Sequence, residues 1–177
     1  MEIVFEELYE KYHKDLYQFV FYMVKDRLTT EDLVQEVYIK VLKSHHHFKG
    51  DSSVRTWLFS IARHVTIDYF RSQNRKRKRI LTFFDWTTKG EKIEDVHPLP
   101  DEVAIQSEEL KQIYNCLDQC TIDQKSVIIL RYMQSFSIKE TAEILNFSES
   151  KVKTTQHRAL KALRTYIENQ DEGGERR

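Results

Sequence analysis

The chain has 177 residues, room for one ordinary domain or two small ones, and its 40% hydrophobic content is enough to bury a core. Charged residues at 32% with only 4 Gly and 2 Pro point to a surface-rich, mostly helical protein and exclude collagen-like, disulfide-rich and low-complexity classes. Formal net charge is zero, from 28 basic and 28 acidic residues, but the charges are segregated along the chain.

From the N-terminus, MEIVFEELYEKYHKD is acidic where a secretory signal is basic and then apolar, and no window approaches a membrane span, so a cytoplasmic location is expected. Phe5, Leu8, Tyr12, Leu16, Phe19 and Met23 recur at three- and four-residue steps, one buried stripe of a first helix. Thr29 and Thr30 ahead of Glu31 and Asp32 read as the N-cap of a second helix running to about Leu42. Leu33, Val37 and Val41 face inward there, leaving Asp32, Gln35, Glu36 and Lys40 for a partner. Residues 44–53, SHHHFKGDSS, read as a loop ending in a Ser cap. A long helix from about Val54 buries Leu58, Ile61, Val65 and Tyr69 and puts Arg55, Arg63, Arg71 and Arg75 on or near the other side as a cationic ridge. Residues 55–79 hold eight basic residues against Asp68 alone, +7 in all, and ask for a polyanion.

Between Thr82 and Ser107 periodicity fades, Pro98 and Pro100 appear, and residues 85–109 sum to −6, as expected of an acidic linker. The expected division is a helical domain over 1–81, a linker over 82–107, a second helical domain over 108–170 and a tail over 171–177. The picture is of two cationic heads held apart by an anionic strap that permits separation without enforcing it. Helical periodicity returns with Leu110, Ile113, Tyr114 and Leu117, where Cys116 and Cys120 read as buried thiols of a reducing compartment. It continues through Val127, Ile128, Leu130, Arg131 and Tyr132. Ser137 with Glu140 caps a short helix ending at Asn146 and Phe147, and Ser148 caps another that carries +5 over 151–164, so the pattern is a helix-turn-helix.

In such a motif the second helix enters the major groove, and Lys153, Thr154, His157 and Arg158 share its outer face while Val152, Ala159 and Leu163 face the core. The first cationic segment interleaves arginines with Phe48, Trp57, Phe59, Tyr69 and Phe70, and aromatics beside cations suit unpaired bases as well as duplex. No Gly-rich phosphate loop, CxxC, HExxH or nucleophile elbow occurs, so an enzyme is not expected and no cofactor is called for. His45, His46 and His47 read as structural or solvated rather than metal-binding. The residues alone leave a stand-alone DNA-binding regulator open as the competing class.

Three segments together resemble a bacterial sigma factor of the small extracytoplasmic-function class, in the sigma-70 family, over nearly the whole chain. TEDLVQEVYIKVL (30–42) resembles the part that grips a coiled coil of RNA polymerase. FKGDSSVRTWLFSIARHVTIDYFR (48–71) resembles the promoter-melting and minus-ten segment, and SIKETAEILNFSESKVKTTQHRALKALR (137–164) the minus-thirty-five reader. The resemblance implies an all-α, two-domain alternative sigma factor that binds core RNA polymerase and promoter DNA and is restrained by a membrane-anchored anti-sigma factor. By the same resemblance Asp32, Gln35 and Glu36 bind polymerase. Lys49, Ser53, Arg55, Trp57 and Arg63 lie at the melted promoter with Arg71 and Arg75 on its backbone, and Lys153, Thr154, His157 and Arg158 touch the upstream element. Thr155 stands where many relatives have Arg, and Gln156 where an aliphatic core residue is usual.

Overall fold

A computed structural model of the chain describes residues 5–83 and 107–174, and every regular element among them is helical. Most of the expected acidic linker lies outside these residues. Helix α1, Phe5–Val24, buries the expected Leu8, Leu16, Phe19 and Met23, but its second half also buries Tyr17, Val20, Phe21 and Tyr22. A helix apolar all round must be covered on more than one side. Lys25, in the left-handed region at φ 55, turns the chain into α2, Arg27–Ser44.

The start of α2 differs from the expected threonine cap. Asp26 is the N-cap, accepting from the Thr29 amide at 2.8 Å, and the buried Thr30 donates its hydroxyl back to the Asp26 carbonyl at 2.7 Å. A short carboxylate is a good N-cap acceptor, and a threonine one turn in satisfies its hydroxyl on the preceding turn. A 3₁₀ turn follows at His45–His47, and Ser53 caps α3, Val54–Phe83, by accepting from the Thr56 amide at 3.0 Å. At 30 residues α3 extends about 45 Å.

In the second half, α4 spans Glu108–Cys116 with Ser107 as cap, and α5 spans Ile122–Ile128 behind a Thr121/Gln124 capping box. The chain then widens into one π-helical turn, Ile129–Met133, and Ser135 takes φ 57 to leave it. Helix α6, Ile138–Leu145, has the expected Ser137/Glu140 capping box and stops at Asn146, left-handed at φ 54. Ser148 accepts from the Lys151 amide at 3.1 Å at the start of α7, Glu149–Gly174.

Helices α1, α2 and α3 pack together, as do α5, α6 and α7, with α4 against α7. The two units do not stand apart. Helix α3 lies against α6, α1 touches α5 and the π-turn, and one hydrophobic cluster runs through both halves. At its centre Phe59 sits between Phe19 and Phe136, ring centroids 5.5 and 4.9 Å away, all three fully buried.

Candidate nucleic-acid interface

Helix α2 shows its polar face to solvent as expected: Asp32, Gln35 and Glu36 are exposed or nearly so, with Glu36 paired to Lys40 at 3.3 Å. Three residues of this surface were not anticipated. Leu28 is 72% exposed and Ile39 and Leu42 are each 51% exposed. Leu28, Asp32, Gln35, Ile39 and Leu42 follow one another at alternating steps of four and three, so they form a single stripe opposite the buried Leu33, Val34, Val37 and Val41. That spacing is the seam by which helices pair, and large apolar side chains left in water on it mark a partner's footprint.

On the loop before α3, Lys49 is exposed, and Ser53 is held by its own cap, donating to the Thr56 hydroxyl at 2.8 Å. Trp57 is half-buried against Phe48, centroids 5.0 Å apart. Phe59 is unlike the other aromatics of this segment: it is a core residue with no exposed surface, so it offers no face to a base in this arrangement. Tyr69 and Phe70 remain half-buried in an edge contact at 5.5 Å.

The cationic ridge on α3 is split. Arg71 and Arg75 are exposed, with Arg71 near Asp68 at 3.9 Å. Arg55 and Arg63 instead face the second half of the chain. Arg55 donates to the Gln134 carbonyl at 2.8 Å, lies 4.0 Å over the Phe136 ring and is 3.5 Å from Asp15. Arg63 donates to Asp123 at 3.1 Å, and its side chain is only 12% exposed. Burial pulls its pKa down, opposed by the Asp123 carboxylate. Guanidinium is planar and weakly hydrated, which lets it serve as a strut where ammonium would resist drying.

The helix-turn-helix is formed by α6 and α7. Lys153, Thr154, His157 and Arg158 are all exposed on α7, and Val152, Ala159 and Leu163 are buried beneath them. Thr155 and Gln156 are half-buried, and Gln156 ties two elements together. Its side-chain oxygen accepts from Arg131 Nε at 3.1 Å, while Arg131 also donates to the Phe136 carbonyl. A polar link thus joins α7 to the π-turn. Glu140 accepts from the Ser137 amide at 2.8 Å, and its bonds to Ser137 lower its pKa.

Tyr38, its pKa raised by burial against α1, stands apart; several other shifted groups belong to the junction of the halves. Lys25 bonds Asp118 at 2.8 Å and the Tyr114 carbonyl at 3.0 Å, and Lys125 reaches the other Asp118 oxygen at 3.0 Å. Burial would raise the Asp118 pKa, but the two lysines outweigh it and hold it low. Burial pushes Tyr114 up to about 12 and raises the Cys116 and Cys120 thiols, both of which are free. Raised thiols are poor nucleophiles. Among the described residues no group of three or more His, Cys, Asp or Glu could hold a metal ion, and no helix is long and apolar enough to cross a membrane.

Two family models match the chain, Sigma-70 region 2 over residues 8–76 and Sigma-70 region 4 over residues 110–163. The ECF RNA polymerase sigma factor SigX of Bacillus subtilis is 62% identical over 168 residues, covering 95% of this chain and 86% of that protein. The chain belongs to the ECF sigma-factor family. This sigma factor is also 34% identical to RNA polymerase sigma factor YlaC of the same species, over 90% of this chain and 89% of that one. Among solved structures it resembles the sigma factor RpoE of Bartonella quintana in complex with the anti-sigma factor NepR, with TM-score 0.71, 27% identity, and coverage of 93% and 96%. As an alternative sigma factor it directs promoter-specific initiation of transcription, and the match of both regions agrees with the two helical units described above.

Proposed function

We propose that this sigma factor docks on core RNA polymerase through the α2 stripe, with Leu28, Ile39 and Leu42 packing on a helical partner and Asp32, Gln35 and Glu36 among and beside them. The observation that carries this reading is the exposed apolar seam on a helix whose opposite face is core. Polymerase docking then brings both readers to one promoter. Lys153, Thr154, His157 and Arg158 on α7 contact the upstream element in the major groove. Lys49, Ser53, Arg55, Trp57 and Arg63 take up the melted element, with Arg71 and Arg75 on its phosphates. Each reader alone is weak, and joining them through the linker raises the effective concentration at the second site.

The division into 1–81, 82–107 and 108–170 is the one this mechanism uses: a polymerase and minus-ten unit, a tether, and an upstream reader. The protein acts in the cytoplasm as a specificity subunit and not as a catalyst, and a membrane-anchored anti-sigma factor holds it until release. The anti-sigma complex of the RpoE relative supports the partner class. Co-purification with core enzyme tests the docking face. Ile39→Asp should lose polymerase while keeping its helical circular dichroism, and retention of polymerase by that variant would remove α2 as the docking face.

A further inference from the structure

Gln156 lies on α7 between its buried row and its exposed row, and we propose that Gln156 and Arg131 form a strut that sets how α7 sits in the groove, making both positioning residues for the upstream element. The inference rests on the upstream reading of Lys153, Thr154, His157 and Arg158, and adds to it two residues that act through those four. About two turns into α7, Gln156 is half-buried, with the buried Val152 and Ala159 on one side of it and the exposed Lys153 and His157 on the other.

The base of the strut is the π-turn. There the Gln134 amide donates to the Ile129 carbonyl and the Phe136 amide to the Leu130 carbonyl, both at 2.9 Å, and the fully buried Ile129 and Leu130 side chains fix the turn in the core. The half-buried Arg131 reaches out from it in two directions. Its Nε donates to Gln156 Oε1 at 3.1 Å, and its Nη1 donates to the carbonyl of Phe136, the residue just before the Ser137 cap of α6. One planar group therefore joins the entry of the first helix of the motif to the middle of the second. Guanidinium N–H groups point in fixed directions, so the pair of bonds sets an angle as well as a separation, whereas an ammonium would set neither.

The residue type at 156 follows from the same geometry. Leucine would pack between Val152 and Ala159 but give Arg131 no acceptor. Glutamate would accept from Arg131 but place a negative charge beside Lys153, on a face that meets phosphates. Glutamine supplies the oxygen without the charge. Lys153, Thr154, His157 and Arg158 ride on one rigid helix, so any rocking of α7 at Gln156 moves all four together. Base-edge hydrogen bonds tolerate only about 2.7–3.2 Å, while long cationic side chains still find phosphates on a helix that rocks. Loss of the strut therefore lowers discrimination among sequences more than it lowers affinity.

The test uses holoenzyme assembled from core polymerase and the full chain, on a promoter that the wild type selects from a library and on templates with single base-pair changes through its upstream element. The readout is the ratio of transcript from selected and altered templates, with thermal melting of the free chain followed by circular dichroism in parallel. Gln156→Leu should keep the melting temperature and lower discrimination by about five- to thirty-fold, the size of one base-edge contact. Arg131→Lys keeps the charge and should lose a similar factor, and the double variant should lose no more than either alone. Gln156→Glu keeps the acceptor and should hold wild-type discrimination while initiating more weakly on every template.

Unchanged discrimination in Gln156→Leu overturns the strut. So does a loss in Gln156→Leu that a folded Arg131→Lys does not share, because that pattern makes Gln156 a direct contact. Where Arg131→Lys does not fold, the other two variants decide: loss with Leu and retention with Glu supports the strut, and equal behaviour overturns it. Lys153→Ala and Arg158→Ala form a separate arm. If they lower discrimination while the strut variants do not, the upstream reading stands and the strut alone falls; if neither lowers it, the upstream reading fails and the strut with it.

Discussion

Replacing Phe59 with alanine separates a core residue from a base-stacking platform. The ring has no exposed surface and touches Phe19 on one side and Phe136 on the other. A phenylalanine buries about 150–250 Å², which at about 25 cal/mol per Å² is worth about 4–6 kcal/mol. A compact unfolded state already hides about 10–40% of that area, which brings the figure to about 2–5 kcal/mol, overlapping the about 3–5 kcal/mol usual for Phe→Ala in a core. Urea unfolding followed by circular dichroism should show a midpoint lowered accordingly with an unchanged slope. Phe59→Leu keeps most of the volume and loses chiefly the edge contacts, about 0.5–1.5 kcal/mol. An unaltered midpoint in Phe59→Ala, combined with failure to hold an open promoter, would refute the core assignment and restore Phe59 as a platform for a base.

Other residues give equally direct outcomes. Glu36→Lys should lose core polymerase in pull-down, because it reverses charge beside the α2 stripe; full retention would argue against that face. Arg158→Ala should cost about 1–3 kcal/mol of upstream discrimination if its guanidinium reads a base edge, measured on a set of promoter variants. Equal loss on every variant would make it a phosphate contact instead. Glu140 has a lowered pKa in the fold, so its contribution is present above its ordinary carboxylate range and disappears as pH falls through the folded value. Glu140→Gln should therefore melt below wild type at about neutral pH, by about 0.3–1 kcal/mol, and match it once both are acidified below that value. A gap that persists in acid would mean the glutamate acts by shape and not by charge.

The helix-turn-helix was the most legible part because its boundaries are written in side chains: Ser137 with Glu140, Asn146 and Ser148 each do locally what their types favour. The buried Val152, Ala159 and Leu163 follow from periodicity alone. The start of α2 was less so, since Asp26 and Thr29 are both good caps and only the backbone decides between them. The contact between halves left a faint trace. Residues 16–24 of α1, LYQFVFYMV, are apolar around most of the helix, and Phe21 and Tyr22 lie off the single stripe and against Tyr114.

Arg55 and Arg63 could not be sorted from Arg71 and Arg75 by pattern, because charge counts as surface until a partner far along the chain is known. Arg55 finds its carbonyl 79 residues away. Nor does any residue type announce a π-turn, beyond which Gln134 is buried and its carbonyl accepts from Arg55. The exposed Leu28, Ile39 and Leu42 were within reach of sequence reasoning. Their steps match those of Asp32 and Gln35, so α2 carries two apolar registers, and the inward Leu33, Val37 and Val41 form the stronger one.

Promoter choice given to RNA polymerase through α2, α3 and α7 together is the central claim. Run-off transcription with purified core enzyme on a promoter library addresses it directly. Discrete transcripts should appear from a subset of templates only when the chain is added, and should vanish with Ile39→Asp. Absence of specific transcripts from every template, or sequence-specific duplex binding by the free chain that core enzyme neither alters nor requires, would contradict it.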